Sequence, residues 1–215
     1  MKKPIIGIST RIVNPVNYEE KRDAISHDLI RILDQLNFNP ILIPNNLLDV
    51  KNFLEQLSFS GFIISGGDNI GDFPQRDETE KEILKYSSTK NLPTLGICRG
   101  MQVINDYFGG NQRTTNDLKH VNKHHKILII ENEIQKYFQK KEIEVNSFHN
   151  NLIDKNTVGK NLEIFAISEI DNTVEGFYHK KFPILGIMWH PERKSMTSHE
   201  IELMNIFYEN IFWRK

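Results

Sequence analysis

The fold is decided by residues 93–102, PTLGICRGMQ. The apolar run Pro93–Ile97 predicts a short buried strand, and Arg99–Phe108 has the 3.6-residue apolar spacing of a helix. Cys98 lies between them, with a glycine two positions before it and another two positions after it. This is the pattern of a nucleophile elbow, a strand-to-helix turn so tight that neighbouring backbone must approach without side chains.

The cysteine at this turn is the only one in the chain, which excludes an intrachain disulfide. The elbow would place Cys98 at the carboxyl edge of a sheet, where open α/β sheets bind ligands. It would also place the sulfur at a helix N-terminus, whose partial positive charge favours a thiolate. A lone cysteine is more often a small buried apolar side chain. The paired glycines favour the nucleophile, with an ordinary strand–helix turn as the alternative.

Short apolar runs alternate with helical patterns through the first half of the chain, which predicts βαβ units and a parallel sheet covered on both faces. The second half contains strand-like runs with few helices between them, which predicts an antiparallel extension and a return to the main sheet. Asp77 is predicted to cap the third helix, with Glu80 three residues later. The predicted strands are 5–9, 40–44, 61–65, 93–97, 126–130, 142–145, 162–166, 174–178 and 184–188, and the predicted helices are 24–36, 48–57, 77–87, 99–108 and 198–213.

The composition is that of a globular protein, because 39% of the 215 residues are apolar and 26% are charged. The net charge of −1 gives no general attraction to nucleic acid or to an anionic membrane. No apolar stretch approaches the ~20 residues that span a bilayer. We therefore expect one α/β domain over residues 1–215 in the cytoplasm, with a small-molecule substrate and without nucleic-acid or membrane partners. A homodimer is compatible with the sequence.

A second motif, His190-Pro191-Glu192, follows the predicted strand 184–188. Proline cannot continue a central strand, so the chain leaves the sheet there and delivers His190 at a strand end. Glu192 could bond to the far ring nitrogen and fix its tautomer. Together with the elbow, this motif predicts a Cys-His-acid triad in which the base activates the thiol and the acid orients the base.

Attack by a thiol on an amide forms an oxyanion that requires hydrogen-bond donors. One candidate donor is the backbone N–H of Arg99, the first residue of the helix after Cys98. The other is Ser65-Gly66-Gly67, a glycine pair at the end of a predicted parallel strand. An ordinary turn is the more common use of two glycines.

A histidine cluster lies in the basic stretch 119–126, which reads KHVNKHHK. A metal site would require defined ligand spacing with a partner acid or cysteine. The sequence instead predicts a solvated loop entering a strand, and no metal. The members of the cluster are His120, His124 and His125.

Several cations could lie near the carboxyl edge of the sheet. Ordinary surface charge is the simpler interpretation of each one. The functional interpretation is a site for an anionic substrate, since guanidinium groups match carboxylate or phosphate. These cations are Arg11, Arg76, Arg193 and Lys194.

Four motifs, in this order, resemble those of class I glutamine amidotransferase-like proteins, which have a flavodoxin-like fold. They are 64–67 (ISGG), 96–102 (GICRGMQ), 146–149 (NSFH) and 186–192 (GIMWHPE). The resemblance runs from about Pro4 to the last predicted helix. The most similar branch is the γ-glutamyl-γ-aminobutyrate hydrolase family, peptidase family C26.

The resemblance implies a role for each matching position. Cys98 would be the nucleophile, His190 its base and acid, and Glu192 the orienting acid. The oxyanion hole would consist of the backbone N–H groups of Gly67 and Arg99. Gln102 would contact the γ-glutamyl group, and the glutamate end would be held by Asn146, Ser147, Phe148 and His149, partly through the main chain of Ser147 and Phe148.

The sequence departs from the family pattern in two places. Asn150-Asn151 stands where the family motif continues with x-Gln, and the segment 71–77 is shorter than the usual loop before that helix. Less covering loop suggests a more open mouth and a larger leaving group. Arg76, Arg193 and Lys194 are the predicted leaving-group contacts.

The resemblance implies a hydrolase that releases glutamate and a free amine through a γ-glutamyl thioester, without metal or organic cofactor. Its substrate would be γ-glutamyl-CDP-amidate of capsule phosphoramidate biosynthesis, a γ-glutamyl polyamine or γ-glutamyl-γ-aminobutyrate. The alternative is a glutaminase subunit that delivers ammonia to a separate synthase. A binding module without activity is a third hypothesis, which the complete set of nucleophile, base and acid disfavours.

Overall fold

A computed structural model describes residues 3–17 and 19–193. The predicted helix 198–213 and Lys194 lie outside the described residues. The strands are β1 (Ile5–Ser9), β2 (Arg11–Val13), β3 (Arg22–Ala24), β4 (Asn39–Ile43), β5 (Phe59–Ile64), β6 (Thr94–Ile97), β7 (Arg113–Thr114), β8 (Val121–Ile129), β9 (Glu142–Phe148), β10 (Asn151–Leu152), β11 (Leu162–Ser168), β12 (Val174–His179) and β13 (Ile184–Ile187). The helices are α1 (His27–Gln35), α2 (Val50–Glu55), α3 (Pro74–Lys90), α4 (Arg99–Tyr107) and α5 (Asn132–Phe138), with 3-10 turns at Leu118–His120 and Lys155–Thr157.

Nine strands form one sheet in the order β4-β1-β5-β6-β13-β12-β11-β8-β9. The first five strands of that order are parallel to one another. The last four continue the sheet with antiparallel pairs. The predicted α/β class, with a parallel sheet and an antiparallel extension, is confirmed. The organisation as one domain over residues 1–215, the cytoplasmic location and the homodimer stay predictions.

Helices cover both faces of the parallel strands, as the continuous apolar runs predict. On one face, Ile63 and Leu95 belong to the same buried cluster as Leu29 of α1. On the other face, Phe62 and Ile64 belong to a second cluster with Ile83 and Leu84 of α3, among others. Successive residues of β5 therefore point into different cores, which is why Phe62, Ile63 and Ile64 are all apolar.

Local capping sets the helix boundaries, and in one case differently from the prediction. Ser26 accepts a hydrogen bond from the Asp28 N–H at the start of α1. Helix α3 begins three residues before the predicted cap Asp77, because Pro74 supplies a first-turn residue that needs no N–H partner. The Asp77 carboxylate instead accepts the N–H of Gly71 at 2.8 Å. The prediction of Asp77 as N-cap is wrong.

The histidine-rich stretch also differs from its prediction. Strand β8 begins at Val121, so His124 and His125 lie within a strand, and His120 ends a 3-10 turn. His120 and His125 are buried, and His124 is exposed. The predicted solvated loop is therefore wrong, because only His124 is exposed and it lies in a strand. Within the ranges that the structure describes, no helix combines the length and apolar character needed to cross a membrane.

Candidate active site

The elbow after β6 has the backbone geometry that a raised nucleophile requires. Cys98 has φ 53° and ψ −107°, an unusual conformation for a residue with a side chain. Its N–H donates to the carbonyl of Ile187 in β13 at 2.8 Å. This bond fixes the turn against the neighbouring parallel strand. The residue is 7% exposed and occupies the N-cap position of α4.

The two flanking glycines are required by close backbone approach. A Cβ at Gly100 would lie 2.0 Å from the carbonyl oxygen of Ile64. A Cβ at Gly96 would lie 2.6 Å from the backbone of Gly100. The first turn of α4 thus rests directly on the ends of β5 and β6, and the elbow cannot open to accept larger residues.

His190 lies just beyond β13, beside the elbow. A Cβ at Gly66 would lie 2.9 Å from His190 Cε1 and 3.6 Å from Cys98 Cβ, so Gly66 packs against both side chains. The Nδ1 atom of His190 lies 2.7 Å from Glu192 Oε1. The structure brings together Cys98, His190 and Glu192, the three residues of the predicted triad.

The electrostatics of His190 follow from these neighbours. Burial alone would lower the pKa of His190, but hydrogen bonds and charge interactions with Cys98 and Glu192 outweigh burial and raise the pKa to about 9. The imidazole can therefore hold a proton at neutral pH and pass it to a leaving group. A base oriented by a buried acid is the arrangement that nucleophilic catalysis requires.

Asn146 holds the backbone of His190 and does not face the pocket. Its Nδ2 donates to the carbonyl of His190 at 2.8 Å, and its Oδ1 accepts the N–H of His190 at 2.9 Å. Ser147 is also occupied, because its hydroxyl donates to the carbonyl of His120 at 2.7 Å and is fully buried. The side chains of Asn146 and Ser147 are therefore held by the protein's own groups and do not line the smaller of the two cavities described below. The predicted contact of this loop with glutamate, partly through the main chain of Ser147 and Phe148, stays a prediction.

The loop after β5 carries the second predicted oxyanion donor. Gly67 has φ +94°, a conformation that favours glycine. Arg76 Nη2 donates to the carbonyls of Ser65 and Gly66 at 2.8 and 3.0 Å. In a trans peptide the carbonyl and the following N–H point in opposite directions. Anchoring the Gly66 carbonyl therefore turns the Gly67 N–H away from Arg76.

Arg76 belongs to a buried group of charges, here called the ionic cluster: Arg76, Arg99, Asp68, Asp77 and Glu80. Glu80 accepts hydrogen bonds from Arg76, from Arg99 and from the hydroxyl of Ser9. Arg99 also bonds to Asp77, and Arg76 to Asp68. The predicted leaving-group role of Arg76 is wrong, because its side chain is fully buried among these partners.

Two adjoining cavities meet at the reactive residues. The first, of about 240 Å³, is lined by Cys98, Gln102, His149 and others. The second, of about 310 Å³, is lined by Arg11, Ser26 and Glu192, with apolar residues of β2, β3 and α1. Gly67, His190 and Arg193 line both cavities. A substrate could place one part in each cavity with its scissile bond at Cys98.

The first cavity contains most of the residues predicted to bind glutamate. Gln102 is 2% exposed, and its Oε1 makes no hydrogen bond within the described residues. Phe148 stacks its ring edge against His190, with centroids 5.8 Å apart. Burial lowers the pKa of His149 to about 4, so its ring is neutral at neutral pH. Asn150 lines the cavity, and Asn151 is held by Asn69 and Thr114.

The second cavity has two arginines at its edge. The guanidinium of Arg193 lies 4.0 Å from the centroid of the Phe148 ring, an arrangement typical of a cation–π contact. Arg11 lies 3.5 Å from Asp68 and is 49% exposed. The sequence identified both residues among the cations of the sheet edge. It did not identify Asn146 as the clamp of His190, since an asparagine in a loop motif carries no signal of its partner.

Comparison with known proteins gives results that agree with the sequence motifs and with the geometry of the elbow. The peptidase C26 model matches residues 4–192. A γ-glutamyl-CDP-amidate hydrolase of Campylobacter jejuni is 31% identical over 88% of this chain and 90% of its own length. Anthranilate synthase component 2 of Saccharolobus solfataricus is 28% identical over 79% of this chain and 86% of its own length. A solved structure from Thermoplasma acidophilum, described as a GMP synthase subunit, superposes with TM-score 0.72 at 25% identity over 96% of this chain and 93% of that one.

The parallel sheet, the cysteine elbow and the solved structures together define a glutamine amidotransferase-like α/β protein. Within that class, the chain belongs to the peptidase C26 family. It is an enzyme of the hydrolase type, with a γ-glutamyl hydrolase or glutamine amidotransferase kind of activity.

Proposed function

We propose that this protein hydrolyses a γ-glutamyl amide through a thioester on Cys98. The observation that carries the proposal is the elbow cysteine beside His190, whose other ring nitrogen is 2.7 Å from Glu192. The sulfur attacks the γ-carbonyl and forms a C–S bond. His190 gives its proton to the amine as the C–N bond breaks, and a water activated by the neutral imidazole then releases glutamate and the free thiol.

The oxyanion would lie between the backbone N–H groups of Gly67 and Arg99. Arg99 is the first residue of α4, so its N–H has no partner within the helix. The Gly67 N–H is directed by the bond between Arg76 and the Gly66 carbonyl. Both donors are fixed before the substrate arrives, which is the condition for stabilising charge that appears only in the transition state.

The glutamate half of the substrate would occupy the smaller cavity. The Oε1 of Gln102, which has no hydrogen-bond partner in the described part of the chain, can accept a hydrogen bond from an α-ammonium group. Arg193 at the rim offers a guanidinium to the α-carboxylate or to the leaving group, since it lines both cavities. The neutral His149 can contribute shape and not charge.

The leaving group would occupy the larger cavity, and we propose that it carries phosphate. Arg11 and Arg193 supply the cations, and apolar residues of β2, β3 and α1 supply a wall. The likeness to the C. jejuni γ-glutamyl-CDP-amidate hydrolase supports this substrate class. γ-Glutamyl-γ-aminobutyrate is the second candidate. Its leaving amine carries a carboxylate instead of phosphate, and its hydrolysis would use the same triad.

A glutaminase subunit that passes ammonia to a synthase is the alternative function. The observation that favours it is the 28% identity to anthranilate synthase component 2. The two functions differ in their dependence on a partner. Hydrolysis by the isolated protein at full rate supports the first, whereas glutamine hydrolysis that increases strongly with a synthase supports the second.

The test is glutamate release from three γ-glutamyl amides whose leaving groups are neutral, cationic or phosphate-bearing. The proposal expects turnover by the isolated protein, highest kcat/KM for the phosphate-bearing compound, and a γ-glutamyl adduct on Cys98 detectable by mass spectrometry after acid quench. Turnover without any adduct, retained in Cys98→Ala, would contradict the thioester. Equal kcat/KM for all three compounds would contradict the leaving-group assignment alone.

A further inference from the structure

Four buried side chains outside the triad meet at one point of the antiparallel half of the sheet. Here they are called the histidine–glutamate cluster. Two come from the start of β8 and the turn before it, one follows β9 and one lies in β12. All are at least nine-tenths buried. The members are His120, His125, His149 and Glu175.

The three imidazoles converge on a single carboxylate oxygen. Glu175 Oε1 lies 3.8 Å from His120 Nδ1, 3.3 Å from His125 Nε2 and 3.7 Å from His149 Nε2. None of these contacts is a hydrogen bond, and both Glu175 oxygens are without a hydrogen-bond partner among the described residues. A buried carboxylate without a hydrogen bond is unfavourable, so a further partner is expected at this point.

The outer hydrogen bonds decide which ring nitrogens carry lone pairs. His149 Nδ1 lies 3.1 Å from the Asn151 carbonyl, which only accepts, so Nδ1 is the protonated atom. His120 Nε2 lies 2.9 Å from the Asp171 carboxylate, which also accepts. In the neutral tautomers, His120 Nδ1 and His149 Nε2 then direct lone pairs at the Glu175 carboxylate. This arrangement is repulsive unless a cation lies between the atoms.

The spacing matches the coordination sphere of a small transition-metal ion. Zinc–nitrogen and zinc–oxygen bonds of ~2.0–2.1 Å in a tetrahedron put neighbouring ligand atoms about 3.3–3.4 Å apart. The facing atoms of His120, His149 and Glu175 all lie within 4.8 Å of one another. Metal-bound histidines usually donate their other N–H to a carboxylate or a carbonyl, as His120 and His149 do here.

We propose that His120, His149 and Glu175 bind one divalent transition-metal ion, with Zn²⁺ as the preferred species, and that His125, whose Nε2 lies 3.3 Å from Glu175 Oε1, completes the site as the fourth ligand. Four protein ligands leave no open position, so the ion is structural and not catalytic. It joins β8, β12 and the end of β9, and it stands behind the wall of the cavity that His149 lines. The proposal is independent of the reaction proposed for Cys98.

The test is a zinc titration of chelator-treated full-length protein without a polyhistidine tag. It is carried out in Cys98→Ala, so that the elbow thiol cannot bind the probe. We expect one equivalent of Zn²⁺ retained through gel filtration, measured by atomic emission, and a Tm that increases with Zn²⁺ concentration. Glu175→Gln, which keeps side-chain size, should lose stoichiometric retention. His124→Asn, on the same strand but exposed, should keep it.

A second set of measurements covers the case in which Glu175→Gln does not fold. Co²⁺ in place of Zn²⁺ should give the intense visible absorption of a tetrahedral site. Asp171→Asn should weaken Zn²⁺ affinity about 10–100-fold through His120. The proposal is overturned by retention well below one equivalent with an unchanged Tm, which would indicate buried imidazolium–carboxylate pairs. A weak octahedral Co²⁺ spectrum, or retention that depends on His124, would overturn it equally.

Discussion

The reaction centre lies between two buried polar clusters that satisfy their charges differently. In the ionic cluster, Glu80 accepts three hydrogen bonds, and each of the three guanidinium nitrogens of Arg76 donates at least one. In the histidine–glutamate cluster, neither oxygen of Glu175 has a hydrogen-bond partner among the described residues. In the first cluster every carboxylate bonds to a guanidinium group of the chain, and the Nε of Arg99 is a buried nitrogen of the cluster without a hydrogen-bond partner among the described residues. The second has the geometry of a site that needs one more cation.

The difference teaches how each cluster should respond to change. Removing one member of a set of paired buried charges destabilises the folded protein, because the remaining charges stay buried without that partner. A set of metal ligands without a metal ion stabilises the folded protein further when the ion binds. The proposed reaction assigns no side chain of either cluster to the scissile bond, and Arg99 contributes only its backbone N–H. The side chains of both clusters should therefore act on geometry and leave the chemistry to Cys98, His190 and Glu192.

The largest effect should come from the residue between the clusters. Cys98→Ala removes the nucleophile, and we expect kcat to fall by more than about 10⁴-fold, since members of a triad act as a unit. The measurement is glutamate release under saturating substrate. Because the change removes a single buried sulfur atom and keeps the backbone of the elbow, Tm should stay within a few degrees of wild type. Activity above a few per cent would show that another residue attacks the substrate.

The next effect is on stability and tests the ionic cluster. Glu80→Gln leaves two buried guanidinium groups short of a counter-charge, and we expect a loss of about 3–5 kcal/mol in the free energy of unfolding. Chemical denaturation measures it. Glu78→Gln is the matched control on the same helix, because its partner Lys81 and its own side chain are exposed. That control should change stability by about 0.5 kcal/mol or less. Equal losses in the two variants would contradict the account of the ionic cluster.

A smaller effect on rate should follow from the orienting acid. Glu192→Gln keeps the shape of the side chain but removes the charge beside His190, and we expect kcat to fall about 10²–10³-fold. In the wild type the rate should decline as pH rises through about 9, where His190 loses the proton that the leaving amine needs. In Glu192→Gln this decline in rate should occur at lower pH. If the rate of the variant declines at the same pH as that of the wild type, Cys98 alone raises the pKa of His190.

The same shift predicts a pH dependence of stability. The folded pKa of His190 is above its ordinary value of 6.5. Its contribution to the free energy of unfolding is therefore fully present below about pH 6.5 and is lost as pH rises towards 9. Denaturation of wild type and His190→Gln at pH 6 and pH 10 measures the difference. Between pH 6 and pH 10, the free energy of unfolding should decrease more in the wild type than in His190→Gln. Equal decreases in the two proteins would contradict the raised pKa of His190.

The smallest effect concerns substrate choice at the second cavity. Arg11→Gln should raise KM for a phosphate-bearing substrate about fivefold, or about 1 kcal/mol, a modest value because Arg11 is 49% exposed. KM for a neutral leaving group should stay the same, and added salt should reduce the difference. Lys3→Gln, which removes an exposed cation paired with Asp34, is the control. A similar change for both substrates would exclude a contact between Arg11 and phosphate.

The sequence predicts the parallel half of the molecule well because its signals are local. The glycines around Cys98 and the proline after His190 act on their own neighbours, and the elbow and the exit from β13 lie where those residues require them. Neighbouring residues in the sequence do not indicate whether an arginine is buried. Arg76 resembles a surface cation in the sequence, and only the folded chain brings it together with Asp68 and Glu80.

The prediction for the histidine-rich stretch fails for a related reason. Lysines and asparagine around His120 and His125 make it resemble a solvated loop, whereas its partner acid lies in β12. The sequence does contain one signal, because Glu175 interrupts an otherwise apolar strand between Val174 and Phe177. A carboxylate in a buried strand requires a partner, and that requirement points to the histidines.

The position of β13 has a consequence for the growing chain on the ribosome. β6 is complete long before Ile184–Ile187 is synthesised, yet these strands are neighbours in the finished sheet. Until β13 arrives, the Cys98 amide lacks its acceptor on Ile187, and the thiol has no histidine beside it. A nascent chain therefore carries its nucleophile without its base. Insertion of a late strand between two earlier ones is also a long-range step, and we expect contacts of this kind to slow folding. Activity should appear only after β13 and the segment His190–Glu192 have been synthesised.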